Sequence, residues 1–125
     1  IIGVGIDIVE VYRIRDAIAK TPRFAARVFT QAERDYCESK GVAASQSYAA
    51  RFAAKEACLK ALKTGWRGKI SWHDIEVVTD ADGVPTLSIT GEAKKILHNL
   101  GANCIHISIS HTTEHAISEV ILEKA

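Results

Sequence analysis

Hydrophobic and polar residues alternate near both ends of this 125-residue chain and follow a helical period in between. At the start, Ile2, Val4, Ile6 and Ile8 share one side of a strand over residues 1–9, with Gly3, Gly5 and Asp7 on the other. A face of two glycines and an acid leaves space above it. Such a face suits the close approach of a ligand or of another backbone. Residues 10–20 then read as a helix that Thr21-Pro22 breaks, and Pro22 opens a short helix to about Val28. Thr30-Gln31-Ala32-Glu33 carries the capping-box pattern and predicts a helix to about Ser39, with Gly41 as its stop.

Residues 45–63 form the longest predicted helix, ending before Gly65. A loop to about Ser71 leads to a strand at Ile75–Thr79. Asp80-Ala81-Asp82-Gly83 turns it, and Pro85–Thr90 returns as the second arm of a hairpin. Gly91–Leu100 is an amphipathic helix closed by Gly101. Residues 103–110 alternate again, with Ile105, Ile107 and Ile109 opposite Cys104, His106, Ser108 and Ser110. After a turn at His111–Glu114, His115–Leu122 is the last strand. The pattern predicts one α+β domain over 1–125, a mostly antiparallel sheet packed on a long central helix.

Within that helix, Arg51-Phe52-Ala53-Ala54-Lys55-Glu56-Ala57-Cys58-Leu59-Lys60 places charge among apolar positions. At about 100° per residue with Phe52 at zero, Leu62 lies near 280°, Tyr48 near 320° and Leu59 near 340°. Ala49 lies near 60° and Ala53 near 100°, so Glu56, near 40°, falls inside the apolar arc and Lys60, near 80°, beside it. A buried charge is costly unless paired or metal-bound, which marks the pair for a site. An ordinary i, i+4 ion pair is the plainer alternative. Two carboxylates, Asp7 from a strand and Glu56 from a helix, suit Mg²⁺ with a phosphate completing its shell. Lys60, one turn away, suits a phosphate oxygen.

Composition narrows the classes. The chain is 47% hydrophobic and 25% charged with a net charge of +1, so neither disorder nor a general nucleic-acid field is indicated. One local basic stretch holds Arg13, Arg15, Lys20, Arg23 and Arg27, a solvated face or a docking surface for an acidic partner. Cys37, Cys58 and Cys104 lack CxxC or zinc-ribbon spacing and read as free thiols of a reducing compartment. No apolar run reaches the ~20 residues of a membrane span, and the first residues lack the marks of a signal peptide. A first residue other than Met implies a processed or trimmed start. These features predict a cytoplasmic protein. His106, His111 and His115, five and four apart across a strand and a turn, do not have the spacing of a helical zinc pair. Ser108 or Ser110 beside His111 lacks the GxSxG elbow of a hydrolase. A simpler role for His111 is donation to a phosphate.

Taken together, several segments resemble one family over essentially the whole chain. They are Gly3-Val4-Gly5-Ile6-Asp7-Ile8-Val9-Glu10 with Arg13-Ile14, then Arg51-Phe52-Ala53-Ala54-Lys55-Glu56-Ala57 with Lys60-Ala61 and Thr64-Gly65. Asp74-Ile75-Glu76-Val77, Asp82-Gly83-x-Pro85 and His106-Ile107-Ser108-Ile109-Ser110-His111 complete the set. The order resembles that of the small bacterial 4′-phosphopantetheinyl transferases, the holo-[acyl-carrier-protein] synthases. The resemblance implies transfer of 4′-phosphopantetheine from coenzyme A to a serine of apo acyl carrier protein, in fatty acid biosynthesis. Adenosine 3′,5′-bisphosphate would be the by-product. It implies a homotrimer with active sites between protomers. By the same resemblance Asp7 and Glu56 hold Mg²⁺, or Mn²⁺ in its place, with the coenzyme A pyrophosphate. Lys60 sits by the transferred phosphate. Arg51 and His111 meet the nucleotide or its 3′-phosphate, Gly65 belongs to a loop near coenzyme A, and Arg13 helps dock the carrier. Glu56 or a metal-bound water takes the serine proton. Trp66 and Arg67 depart from the small residues usual in that loop, which leaves its shape and nucleotide contacts open. A metal-dependent phosphohydrolase and a non-catalytic carrier-binding module are the competing classes.

Overall fold

The computed structural model describes residues 1–65 and 69–125, so Trp66 and Arg67 lie outside the described residues. The elements follow in the order β1 (Gly3–Glu10), α1 (Val11–Lys20), α2 (Phe24–Val28), α3 (Gln31–Glu38), α4 (Ala44–Leu62), β2 (Ile75–Thr79), β3 (Pro85–Ile89), α5 (Gly91–Asn99), β4 (Cys104–His111) and β5 (His115–Glu123). The α+β architecture follows the sequence pattern. An antiparallel sheet of order β1-β5-β4 and the β2-β3 hairpin flank α4. Among the described residues no helix is long and apolar enough to cross a membrane.

The glycines of β1 explain how sheet and helix meet. A Cβ on Gly5 would collide with the Ala57 carbonyl oxygen, and one on Gly3 with that of Ala61. Of the two uses open to that face, it serves the approach of another backbone. Strand and helix touch main chain to main chain, closer than any side chain permits. The residues of α4 that meet the two glycines are accordingly alanines, Ala57 and Ala61. Register fixes the rest: Asp7 faces Ser118, Gly5 faces Val120 and Gly3 faces Leu122. Ile105, Ile107 and Ile109 of β4 also pack on the core side, as their alternation predicts.

Two apolar clusters share α4. One gathers Cys58, Leu59, Leu62, Ile75, Ala93, Val120 and Leu122, and the other Val11, Ile14, Val28, Phe29, Cys37 and Tyr48. With both sides covered, α4 is buried nearly all round. Its less buried positions between Arg51 and Lys63 are Phe52, Glu56, Lys60 and Lys63. This corrects the helical-wheel reading. The stripe through Glu56 is the open one, Glu56 itself is half-buried, and Lys60 is exposed. The buried charge on α4 belongs to Lys55, at about 300° on the same wheel, between Leu62 and Tyr48.

Lys55 is fully buried and donates to Glu33 Oε1 at 2.7 Å, to the Ile75 carbonyl at 2.6 Å and to the Trp72 carbonyl at 3.2 Å. Glu33 closes the capping box of α3 on Thr30 N–H at 2.9 Å and accepts from Val77 N–H at 2.8 Å through its other oxygen. Burial pushes the Lys55 ammonium's pKa down, against the opposing pull of Glu33. One ion pair thus joins α3, α4 and β2.

Candidate functional site

Asp7 sits two residues beyond Gly5 on the inner face of β1. Because Gly3 abuts Ala61 and Gly5 abuts Ala57, the strand runs antiparallel to α4 along this seam. That carries Asp7 toward the Glu56–Lys60 stripe. Lys60 Nζ lies 3.1 Å from Asp7 Oδ1 and donates to the Ile6 carbonyl at 2.9 Å. Asp7 is mostly covered, its side chain 18% exposed, whereas that of Lys60 is 54% exposed. The ammonium reaches a sheltered carboxylate from solvent. Phe52 bounds the stripe at its N-terminal end, stacked between Trp72 and Phe24 at ring separations of 5.3 and 6.4 Å. At the other end Lys63 adopts φ +66° and Gly65 φ +60°, so the chain turns sharply off the helix. Gly65 is exposed just past Lys60.

Arg51 and His111 lie elsewhere. They line a cleft of about 340 Å³ together with Tyr36, Lys40, Thr79 and Pro85. Arg51 is buried and donates to Thr79 Oγ1 at 2.7 Å and to Ser47 Oγ at 3.2 Å. Its Nε has no hydrogen-bond partner among the described residues. The guanidinium lies over the Tyr36 ring at 4.0 Å, and Lys40 Nζ sits 4.6 Å from the same ring. A buried guanidinium with a spare donor, beside a lysine and a histidine, has the chemistry to accept an anion. Sequence reading missed Tyr36, Lys40 and Thr79, because the end of α3 and the end of β2 meet at Arg51 only in the folded chain.

On α4, Arg51 and Lys60 are nine residues apart, which places them about 180° apart around the helix. The predicted residues therefore form two groups. Asp7, Glu56 and Lys60 border the open stripe with Gly65 at its end, and Arg51 with His111 face a cleft on the other side. Arg13 belongs to neither. It is exposed at the start of α1, pairs with Glu10 at 2.9 Å and borders a depression with Ile8 and His115. The outer face of the sheet completes the picture. Val4, Ile6 and Ile8 are 55%, 52% and 63% exposed, and Ile117 faces out beside Ile8.

The model of the 4′-phosphopantetheinyl transferase superfamily matches residues 3–118. The chain belongs to that superfamily. The holo-[acyl-carrier-protein] synthase of Koribacter versatilis is 48% identical over 124 residues, 98% of each chain. Among solved transferases of this superfamily, the holo-(acyl-carrier-protein) synthase from Bacillus anthracis, in complex with CoA (3′,5′-ADP), superposes with a TM-score of 0.81 at 38% identity, covering 99% of this chain and 97% of that one. The Helicobacter pylori synthase in complex with coenzyme A gives 0.81 at 30% identity, over 96% and 99%.

Proposed function

We propose that this transferase moves 4′-phosphopantetheine from coenzyme A to a serine hydroxyl of apo acyl carrier protein, releasing adenosine 3′,5′-bisphosphate. The serine oxygen bonds to the phosphorus that carries pantetheine, and the bond to the bridging oxygen breaks. The observation that carries the reading is the Lys60 ammonium held on sheltered Asp7 at the open stripe of α4. An ammonium so placed meets the charge that develops on a departing phosphate. Asp7 and Glu56 offer only carboxylate oxygens, the donor type that Mg²⁺ or Mn²⁺ takes together with phosphate oxygens. Such an ion, when bound, neutralises the pyrophosphate. Arg51 and His111 hold the nucleotide end in their cleft. Arg13 meets the acidic carrier, and Gly65 lets the chain turn beside the pantetheine end.

The two groups of residues lie on opposite sides of α4, so one chain supplies two half-sites. A homotrimer joins the Asp7 side of one protomer to the Arg51 cleft of the next. The exposed row Val4, Ile6, Ile8 and Ile117 supports this reading, because an apolar sheet face of that length favours cover by another copy. The carrier so loaded would serve fatty acid biosynthesis in the cytoplasm.

Intact-mass measurement of apo carrier incubated with this protein, coenzyme A and Mg²⁺ tests the reaction. The expected result is a gain of one phosphopantetheine mass, lost with EDTA. Consumption of coenzyme A without a gain on the carrier would replace the transferase by a phosphohydrolase.

A further inference from the structure

We propose that Cys104, His106 and Glu123 form a binding site for a thiophilic divalent cation of the zinc class. The site is separate from the carboxylates at α4. Strand pairing assembles it. Cys104 and His106 are two apart on edge strand β4 and so share its outer face, and Glu123 of β5 is the direct partner of Cys104. The His106 Nε2 atom lies 3.5 Å from Cys104 Sγ and 2.9 Å from Glu123 Oε1. One ligand atom from each residue falls within 4.8 Å of both others.

The two separations from His106 suit a tetrahedral ion, and the carboxylate must close on the sulfur as the ion binds. Zn–S near 2.3 Å and Zn–N near 2.0 Å at the tetrahedral angle put sulfur and nitrogen about 3.5 Å apart, and nitrogen and a carboxylate oxygen about 3.3 Å apart. The first separation is already present, and the second needs a few tenths of an ångström of opening. Thiolate, imidazole and carboxylate form a donor set that zinc takes and that Mg²⁺, which wants oxygen alone, does not. In the single chain His106 and Glu123 both reach solvent at the edge-strand end of that face, which leaves a fourth position for water. Of the three histidines considered from sequence, His106 belongs to the set, and His111 and His115 do not. His106 finds its partners across the sheet.

The site stands clear of the α4 stripe. Asp7 faces the opposite side of the sheet, and Ser118, its partner, is five residues from Glu123, about 17 Å along the strand. Cys37 and Cys58 are buried, so a thiolate signal from the folded chain reports Cys104.

The test is Co²⁺ titration of the reduced, metal-stripped full chain, read by absorption. The expected result is a thiolate-to-cobalt charge-transfer band with the intense visible bands of tetrahedral Co²⁺, saturating at one equivalent per chain. Zn²⁺ should bleach it and excess Mg²⁺ should not. Asp7→Asn should keep the band. Cys104→Ser should abolish it, and His106→Ala and Glu123→Gln should each weaken binding at least tenfold. No charge-transfer band, or a band that survives Cys104→Ser, would overturn the proposal. Loss with Cys104→Ser but indifference to both other variants would also overturn it, since that is binding by a single thiolate.

Discussion

If each active site takes Asp7 from one protomer and His111 from the next, two inactive variants should rescue each other. Asp7→Asn removes a carboxylate from the α4 stripe, and His111→Ala removes a donor from the Arg51 cleft. Neither side chain is fully buried, so both variants should fold. Losing one hydrogen bond to a charged group costs about 1.5–3 kcal/mol, roughly a 10- to 100-fold fall in kcat/KM for His111→Ala. Asp7→Asn should lose more, since it also frees Lys60. In an equal mixture of chains assembled together, a given junction has an even chance of an intact Asp7 side and an even chance of an intact His111 side. About one quarter of all sites are then whole, all of them in rings of three that hold both chains, where one junction of the three is intact. The assay is carrier modification by a mixture co-expressed with two different tags and purified through both. Because the two tags select rings that hold both chains, activity near one third of the unmodified protein supports sites shared between chains. Activity no higher than the mean of the two parents, in mixed assemblies confirmed by mass, would refute the division of the site.

Further expectations concern single residues. Glu56→Gln should abolish transfer and weaken Mn²⁺ binding, measured by activity across metal concentrations and by calorimetry. Arg13→Glu should raise KM for the carrier while leaving coenzyme A binding unchanged, since Arg13 is exposed and pairs with Glu10 rather than with a residue of either half-site. Lys55→Met leaves Glu33 buried without its cation and should cost about 3–5 kcal/mol in urea unfolding. Burial pushes the Cys58 thiol up to about 12 and raises that of Cys37 as well. Brief iodoacetamide treatment should therefore add one label, at Cys104, and three labels only after unfolding.

Much of the architecture was legible because it is written in periods. Helix α4 and the β2–β3 hairpin lie within a residue or so of their predicted bounds, and the capping box at Thr30 forms as its spacing implies. The candidate site drew notice for a reason the structure reverses. Glu56 and Lys60 drew notice as charges in a buried arc, yet they line the least buried stripe of a helix enclosed on its other sides. A wheel finds a buried face by contrast with an exposed one, and α4 offers little contrast. The same wheel did hold the signal for Lys55, which it places between Leu62 and Tyr48. Glu33 was harder to see. Its capping role accounts for only part of its bonding, and its ionic partner is 22 positions away. The cleft depended on Arg51 reaching Tyr36 and Thr79, 15 and 28 positions away, which no spacing encodes.

The Glu33–Lys55 pair has a consequence for the route by which the chain folds. Its bonds come from Thr30, Val77, Ile75 and Trp72, from segments on both sides of α4 in sequence. Until α3 and β2 have both reached α4, the ammonium of Lys55 points into a forming apolar interior with its acceptors missing. A partly assembled chain with α4 already laid on the sheet would have to carry that charge unsolvated. Such species are penalised, and docking of α3, α4 and β2 is coupled into one event. The residue next to Glu56 therefore discourages half-built states, so that the open stripe is presented only once the scaffold behind it is complete.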